Sequence, residues 1–132
     1  MSAAELVYLD SSAFVKLVLP EPETPALVAA LAGVTRLIAS EVLEVEAMRA
    51  TRRGGGPIEA ARAQLAGVTL LALTAEIRSR AAALDPPSVR SLDAIHLATA
   101  LSLGGRLRVI YSYDARLSLA AAEAGLEVRT PV

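Results

Sequence analysis

Short apolar runs that suit β-strands alternate with longer segments of helical spacing along the whole chain, and this alternation constrains the fold more than any other feature. The first run, Leu6-Val7-Tyr8-Leu9, ends at Asp10. Ser11 or Ser12 is then placed to cap a helix reaching about Leu19, where Pro20-Glu21-Pro22 stops it, since proline lacks an amide hydrogen. Thr24-Pro25 restarts a helix with threonine as cap, and Gly33 closes it. Residues 36–39 form the second strand. Ser40 caps a helix in which Val42, Val45, Met48 and Arg49 recur at three- and four-residue spacing, ended by Gly54-Gly55-Gly56.

Pro57 opens a further helix to Ala66, and residues 68–73 alternate so little that they read as a third strand buried on both faces. Thr74 caps the next helix, to about Leu84, and Asp85-Pro86-Pro87-Ser88 forms a turn. A helix over 91–103 closes at Gly104-Gly105, a fourth strand covers 107–111, a last helix 115–124, and a fifth strand 127–129. Strands that alternate with helices pair in parallel through right-handed crossovers. The expected architecture is therefore a three-layer α/β/α sandwich, with residues 1–132 as one domain. Its ligand crevice belongs at the carboxyl ends of the strands.

Hydrophobic residues make up 54% of the chain, ample for a core, yet no run of eighteen is free of charge. Residues 1–5 also lack the basic and apolar parts of a signal peptide, so the expectation is a soluble cytoplasmic protein without membrane contact. Cysteine is absent. That excludes disulfides and thiolate metal sites, leaves oxygen ligands and the single His96, and favours a hard cation as cofactor.

Three of the four aspartates stand at element ends: Asp10 after the first strand, Asp93 in the first turn of a very apolar helix, Asp114 after the fourth strand. Glu46 is the fourth acid of interest, on the helical stripe of Val42 and Met48 where an apolar residue is expected. Each acid has a structural explanation, as a helix N-terminal charge or, for Glu46, as a partner of Arg49 or Arg53. Together they repel one another on one side of a parallel sheet unless a cation lies between them. His96, one turn beyond Asp93, reads as a packed core side chain and not as a ligand or base.

The net charge of −1 argues against a nucleic-acid partner until the distribution is considered. Of 13 basic residues only Lys16 is a lysine, and the arginines cluster at 49, 52 and 53, at 78 and 80, and at 106 and 108. Arginine forks match phosphate geometry, although such clusters also serve as solvated faces.

Leu9-Asp10-Ser11-Ser12, Val45-Glu46-Ala47-Met48-Arg49-Ala50, Leu92-Asp93-Ala94-Ile95-His96-Leu97-Ala98 and Ser112-Tyr113-Asp114-Ala115-Arg116-Leu117 resemble, in order, the four acidic motifs of the PIN-domain ribonucleases. The match covers essentially the whole chain and is nearest to the VapC toxins of toxin–antitoxin pairs. The resemblance implies a five-stranded parallel sheet in order 3-2-1-4-5 and a Mg²⁺- or Mn²⁺-dependent endoribonuclease that leaves a 3′-hydroxyl and a 5′-phosphate. It further implies RNA as substrate, a cognate VapB-type antitoxin as inhibitor, and a homodimer. Carried over by motif, Asp10, Glu46, Asp93 and Asp114 are the catalytic and metal-binding acids. Ser12 and Ser112 match the family's supporting hydroxyls, with Ser11 an alternative to Ser12.

Arg49, Arg90 and Arg116 are expected to fringe the crevice. The early apolar helices, with Phe14, Val18, Leu27, Val28 and Leu31, offer a surface for a partner as well as core. Three other readings compete. One is a non-catalytic module of the same fold that binds RNA or a partner. Another is a haloacid-dehalogenase-type phosphatase, whose motif needs a second Asp where this chain has Ser12, and the third a response-regulator receiver, which needs a phospho-acceptor Asp after the third strand where this chain has Thr74.

Overall fold

The computed structural model describes residues 5–132, so most of the segment read for a signal peptide lies outside the described residues. Strand β1 (Leu6–Leu9) leads through Asp10 into α1 (Ser11–Lys16), and α2 (Thr24–Leu31) precedes β2 (Leu37–Ser40). Helices α3 (Val42–Arg53) and α4 (Ile58–Leu65) connect β2 to β3 (Val68–Leu71), which is followed by α5 (Ala75–Ala82) and α6 (Ser91–Ser102). A 3₁₀ turn at Gly104–Arg106 enters β4 (Leu107–Tyr111), and α7 (Ala115–Glu123) leads to β5 (Val128–Arg129). All pairings are parallel and the sheet order is β3-β2-β1-β4-β5, the order implied by the resemblance.

β1 is the central strand and is buried along its length, as a strand covered by helices on both faces must be. Its register with β4 pairs Leu9 with Tyr111, so that Asp10 and Ser112 leave the sheet side by side. An irregularity between Leu6 and Val7 absorbs the register shift at the far end of the strand. The core gathers Tyr8, Phe14, Leu27, Leu43, Leu97, Ile110 and Leu117, all fully buried. Each such large apolar side chain contributes roughly 1.5–3 kcal/mol by leaving water.

The helix faces differ in places from the sequence expectation. In α3 the buried positions are Leu43, Ala47 and Thr51, four residues apart, whereas Val45 is 62% exposed. Of the stripe Val42, Val45 and Met48, Met48 packs partly buried against the core while Val45 turns outward, so the helix's buried row is instead Leu43, Ala47 and Thr51. β3 is an edge strand, and its Thr69 is exposed, so it is not buried on both faces. Among the early helices, Phe14 and Leu27 are fully buried and Val18 nearly so, and only Val28 of the five partner-surface candidates is well exposed. Those side chains are taken up by the core.

The three-glycine turn between α3 and α4 has a packing cause. A Cβ added at Gly54 or Gly56 meets the Leu19 side chain at 2.7 or 2.5 Å, so the turn presses its backbone against the segment after α1. Gly55, between them, has φ +71°, which favours glycine. Among the described residues no helix is long and apolar enough to cross a membrane.

Candidate active site

Asp10 ends β1 and is itself the N-cap of α1, its carboxylate accepting the Ala13 N–H at 2.9 Å. Neither Ser11 nor Ser12 takes that role, because the helix already begins at Ser11, directly after Asp10, and aspartate caps as well as serine. The Ser12 hydroxyl instead donates to the Asp10 carboxylate, at 2.7 and 2.9 Å from its two oxygens, and accepts the Tyr113 N–H. Ser112, fully buried at the end of β4, donates to the other side of the carboxylate at 2.5 Å. Asp10 is only 2% exposed. Burial pushes its carboxyl up from the ordinary aspartate value, against the hydrogen bonds from Ser112, Ser12 and Ala13.

Asp114 caps α7 through the Leu117 N–H at 2.9 Å, while its own N–H donates to Ser112 Oγ at 3.1 Å. Asp93 sits half-buried in the first turn of α6. Burial raises its carboxyl, and the charges of Asp114, Asp10 and Glu46 raise it further, with His96 opposing them. Four acids from four parts of the chain therefore share one electrostatic neighbourhood. Among the described residues, however, no three acidic or histidine side chains stand close enough together to hold a metal ion.

Glu46 pairs with neither Arg49 nor Arg53. Its Oε2 accepts the Ser11 hydroxyl at 3.1 Å, and its Oε1 lies 2.7 Å from His96 Nε2. His96 is fully buried, as its apolar helix predicts, but its ring reaches from the core to one of the acids. On the other side, Nδ1 lies 2.7 Å from the Tyr8 hydroxyl, which accepts the Ser40 N–H at 3.0 Å. The sequence reading missed this chain of contacts. Its signals were a phenol inside a buried strand one residue before Leu9-Asp10, and a histidine at i+3 from Asp93 on the same helix face.

Beside the acids lies a groove of about 640 Å³ whose walls include Ser11, Glu46, Arg49, Arg53, Leu92 and Tyr113. Arg49 and Arg53 are exposed there. Lys16 also faces the groove, but its ammonium is 2.9 Å from Glu21 and 3.3 Å from Glu23 and lies 4.6 Å from the Tyr113 ring centroid. Its charge is thus neutralised within the chain. Arg90 and Arg116 are exposed near the starts of α6 and α7.

The model of the PIN domain family matches residues 7–123. The chain belongs to the PIN-domain family. Within it, the chain is 38% identical over 132 residues to the ribonuclease VapC47 of Mycobacterium tuberculosis, covering 96% of this chain and 97% of the relative. Two solved structures share its fold at a TM-score of 0.73. One is VapC20 of Mycobacterium tuberculosis, a sarcin–ricin loop cleaving toxin, at 20% identity, covering 94% of this chain and 99% of that one. The other belongs to a toxin–antitoxin complex from Klebsiella pneumoniae, at 22% identity, covering 96% and 98%.

Proposed function

We propose that this PIN-domain chain is a divalent-metal-dependent endoribonuclease that acts as the toxin of a VapBC-type pair, with residues 1–132 working as one domain. The observation that carries the reading is the Ser112 hydroxyl, which donates to Asp10 and accepts the Asp114 N–H and so brings the first and last acids together at one end of the sheet; the raised carboxyl of Asp93, owed first to burial and then to the charges of Asp114, Asp10 and Glu46, agrees with it. Similarity to VapC47 along nearly the whole of both chains supports the same activity and implies divalent-metal dependence.

The donor set fits a hard cation in kind: four carboxylates with hydroxyls beside them, and no thiolate. Asp10, Glu46, Asp93 and Asp114 would hold Mg²⁺ or Mn²⁺. When bound, such an ion supplies the charge that polarises a phosphodiester and makes a water nucleophilic at neutral pH. Ser12 and Ser112 orient Asp10, and Ser11 orients Glu46. Arg49 and Arg53, on the groove wall, offset the repulsion between the acids and the phosphates of RNA.

An antitoxin of the VapB type is the proposed inhibitor, and a homodimer the proposed assembly. The exposed Val45 and Leu92 beside the groove give such an inhibitor apolar area within reach of the acids, a better anchor than the buried Phe14 and Leu27. The test is RNA cleavage with Mg²⁺ or Mn²⁺, sequencing of the cut ends, and repetition with the product of the neighbouring gene. Cut products with 5′-phosphates, lost on Asp93→Asn, support the reading. No metal-dependent cleavage by pure protein would favour the non-catalytic module.

A further inference from the structure

The buried hydrogen-bond chain behind Glu46 carries an inference beyond the acidic site itself. We propose that Tyr8, His96 and Glu46 form a positioning relay, in which Tyr8 donates to His96 Nδ1 and the His96 Nε2–H donates to Glu46, fixing one tautomer and one carboxylate orientation.

The direction of each bond follows from the donors at its two ends. The backbone N–H of Ser40 can only donate, so at 3.0 Å it occupies a lone pair of the Tyr8 oxygen. The Thr99 hydroxyl nearby already donates to the Ile95 carbonyl, so the phenolic hydrogen is assigned to His96 Nδ1 at 2.7 Å, which accepts it. With Nδ1 accepting, the ring hydrogen is on Nε2, 2.7 Å from Glu46 Oε1. In the opposite tautomer an unprotonated Nε2 faces the Glu46 carboxylate, lone pair against lone pair, and that contact becomes repulsive, while the Tyr8 hydrogen loses Nδ1 as its acceptor.

The relay joins the elements that carry the site. Tyr8 stands on β1 two residues before Asp10, Ser40 ends β2, Glu46 stands on α3, and His96 lies one turn after Asp93 on α6. Tyr8 and His96 are both fully buried, their rings edge to face at 5.8 Å, so the imidazole has little freedom to swing. Glu46 is thus held at Oε1 by a rigid ring and at Oε2 by the Ser11 hydroxyl. A partner that fixes a ligand's orientation from behind commonly changes metal affinity or activity about 10–100-fold when removed. His96 touches neither substrate nor metal in this scheme; it is a positioning residue.

The functional half of the proposal rests on Glu46 serving a metal, as proposed above; the hydrogen-bond half does not. His96 is the only histidine, so a long-range ¹H–¹⁵N spectrum of the full chain contains a single imidazole. The expected spectrum has Nδ1 unprotonated and Nε2 carrying the hydrogen. A protonated Nδ1, or averaging between tautomers, overturns the relay.

The second measurement is Mn²⁺ affinity by calorimetry. His96→Leu and Tyr8→Phe should each weaken it about 10–100-fold. His96→Gln, whose amide can donate from the place of Nε2, should recover part of the loss. Folded Tyr8→Phe or His96→Leu protein with unchanged affinity overturns the positioning role. If His96→Leu does not fold, the Tyr8→Phe comparison decides. Wild-type protein that takes up no Mn²⁺ would defeat the proposed function, while the imidazole spectrum still decides the hydrogen-bond assignment.

Discussion

The hydroxyl of Ser112 donates to the Asp10 carboxylate at 2.5 Å and accepts the N–H of Asp114 at 3.1 Å, so one buried side chain ties the first acid to the last. Ser112→Ala removes both bonds and leaves the Asp114 N–H without its acceptor. The expected cost is about 1–3 kcal/mol of stability, with a fall in cleavage rate larger than the fall in folded fraction. Denaturant melts beside initial rates check this; rates that merely follow the folded fraction would make Ser112 structural only.

Divalent metal should stabilise the folded chain by mass action, about 2.7 kcal/mol at a hundredfold excess over Kd. In a domain of this size that corresponds to a rise in Tm of several degrees. Thermal melts with EDTA, Mg²⁺ and Mn²⁺ read it directly. Identical melts in all three would mean that the acids do not assemble around an ion.

Asp10→Asn and Asp10→Ala should separate. Asparagine caps a helix as well as aspartate and removes a buried charge, so the metal-free Tm should hold or rise while cleavage is lost. Alanine removes the cap and the acceptor of two hydroxyls, for an expected loss of about 1–3 kcal/mol. Asp93→Asn should resemble Asp10→Asn, since Asp93 makes no capping bond. A strongly destabilised Asp10→Asn would indicate that the negative charge itself is structural.

The metal-free protein should lose stability as pH rises through the titration of Asp10 and Asp93. Both carboxyls are raised by burial above the ordinary value of 3.8. Between that value and the folded one, the native chain binds more protons than the unfolded chain, so stability falls with pH there. The contribution is complete below 3.8 and lost above the folded value. Denaturant melts in EDTA at stepped pH should show this slope, and Asp10→Asn should flatten it. A parallel profile for the variant would assign the slope to other groups.

Arg49→Ala and Arg53→Ala should raise KM for RNA more than they lower kcat, and should reduce the salt dependence of binding by about one charge each. Neither pairs with an acid among the described residues, so Tm should change little. A loss confined to kcat would place them at the chemistry instead of along the strand's path.

The alternation of strands and helices was legible because its signals are local: apolar runs, prolines, and caps such as Thr74, which accepts the Ile77 N–H as expected. The strand order came only through motif resemblance, since no local signal says which strands are neighbours. Errors arose where tertiary contact decides. Val45 keeps helical spacing with Val42 and Met48, but the buried row of α3 is Leu43, Ala47 and Thr51. β3 looked fully buried because its composition is apolar, yet it lies at the sheet's edge. Of the site, the acids could be named from motifs, whereas the contacts from His96 to Glu46 and Tyr8 join residues 50 and 88 positions apart. No periodicity reaches that far.

The pairing of Leu9 with Tyr111 makes the distance between Asp10 and Ser112 a discrete quantity. Successive residues of a strand face opposite sides, so a slip of one residue would send one of the two groups into the wrong layer and a slip of two would carry it a full repeat away. Sliding the strands therefore offers no intermediate settings for this part of the site. Fine adjustment is left to side-chain length, so that Asp against Glu at position 10 is the available step, and insertions are tolerated only beyond the strand ends.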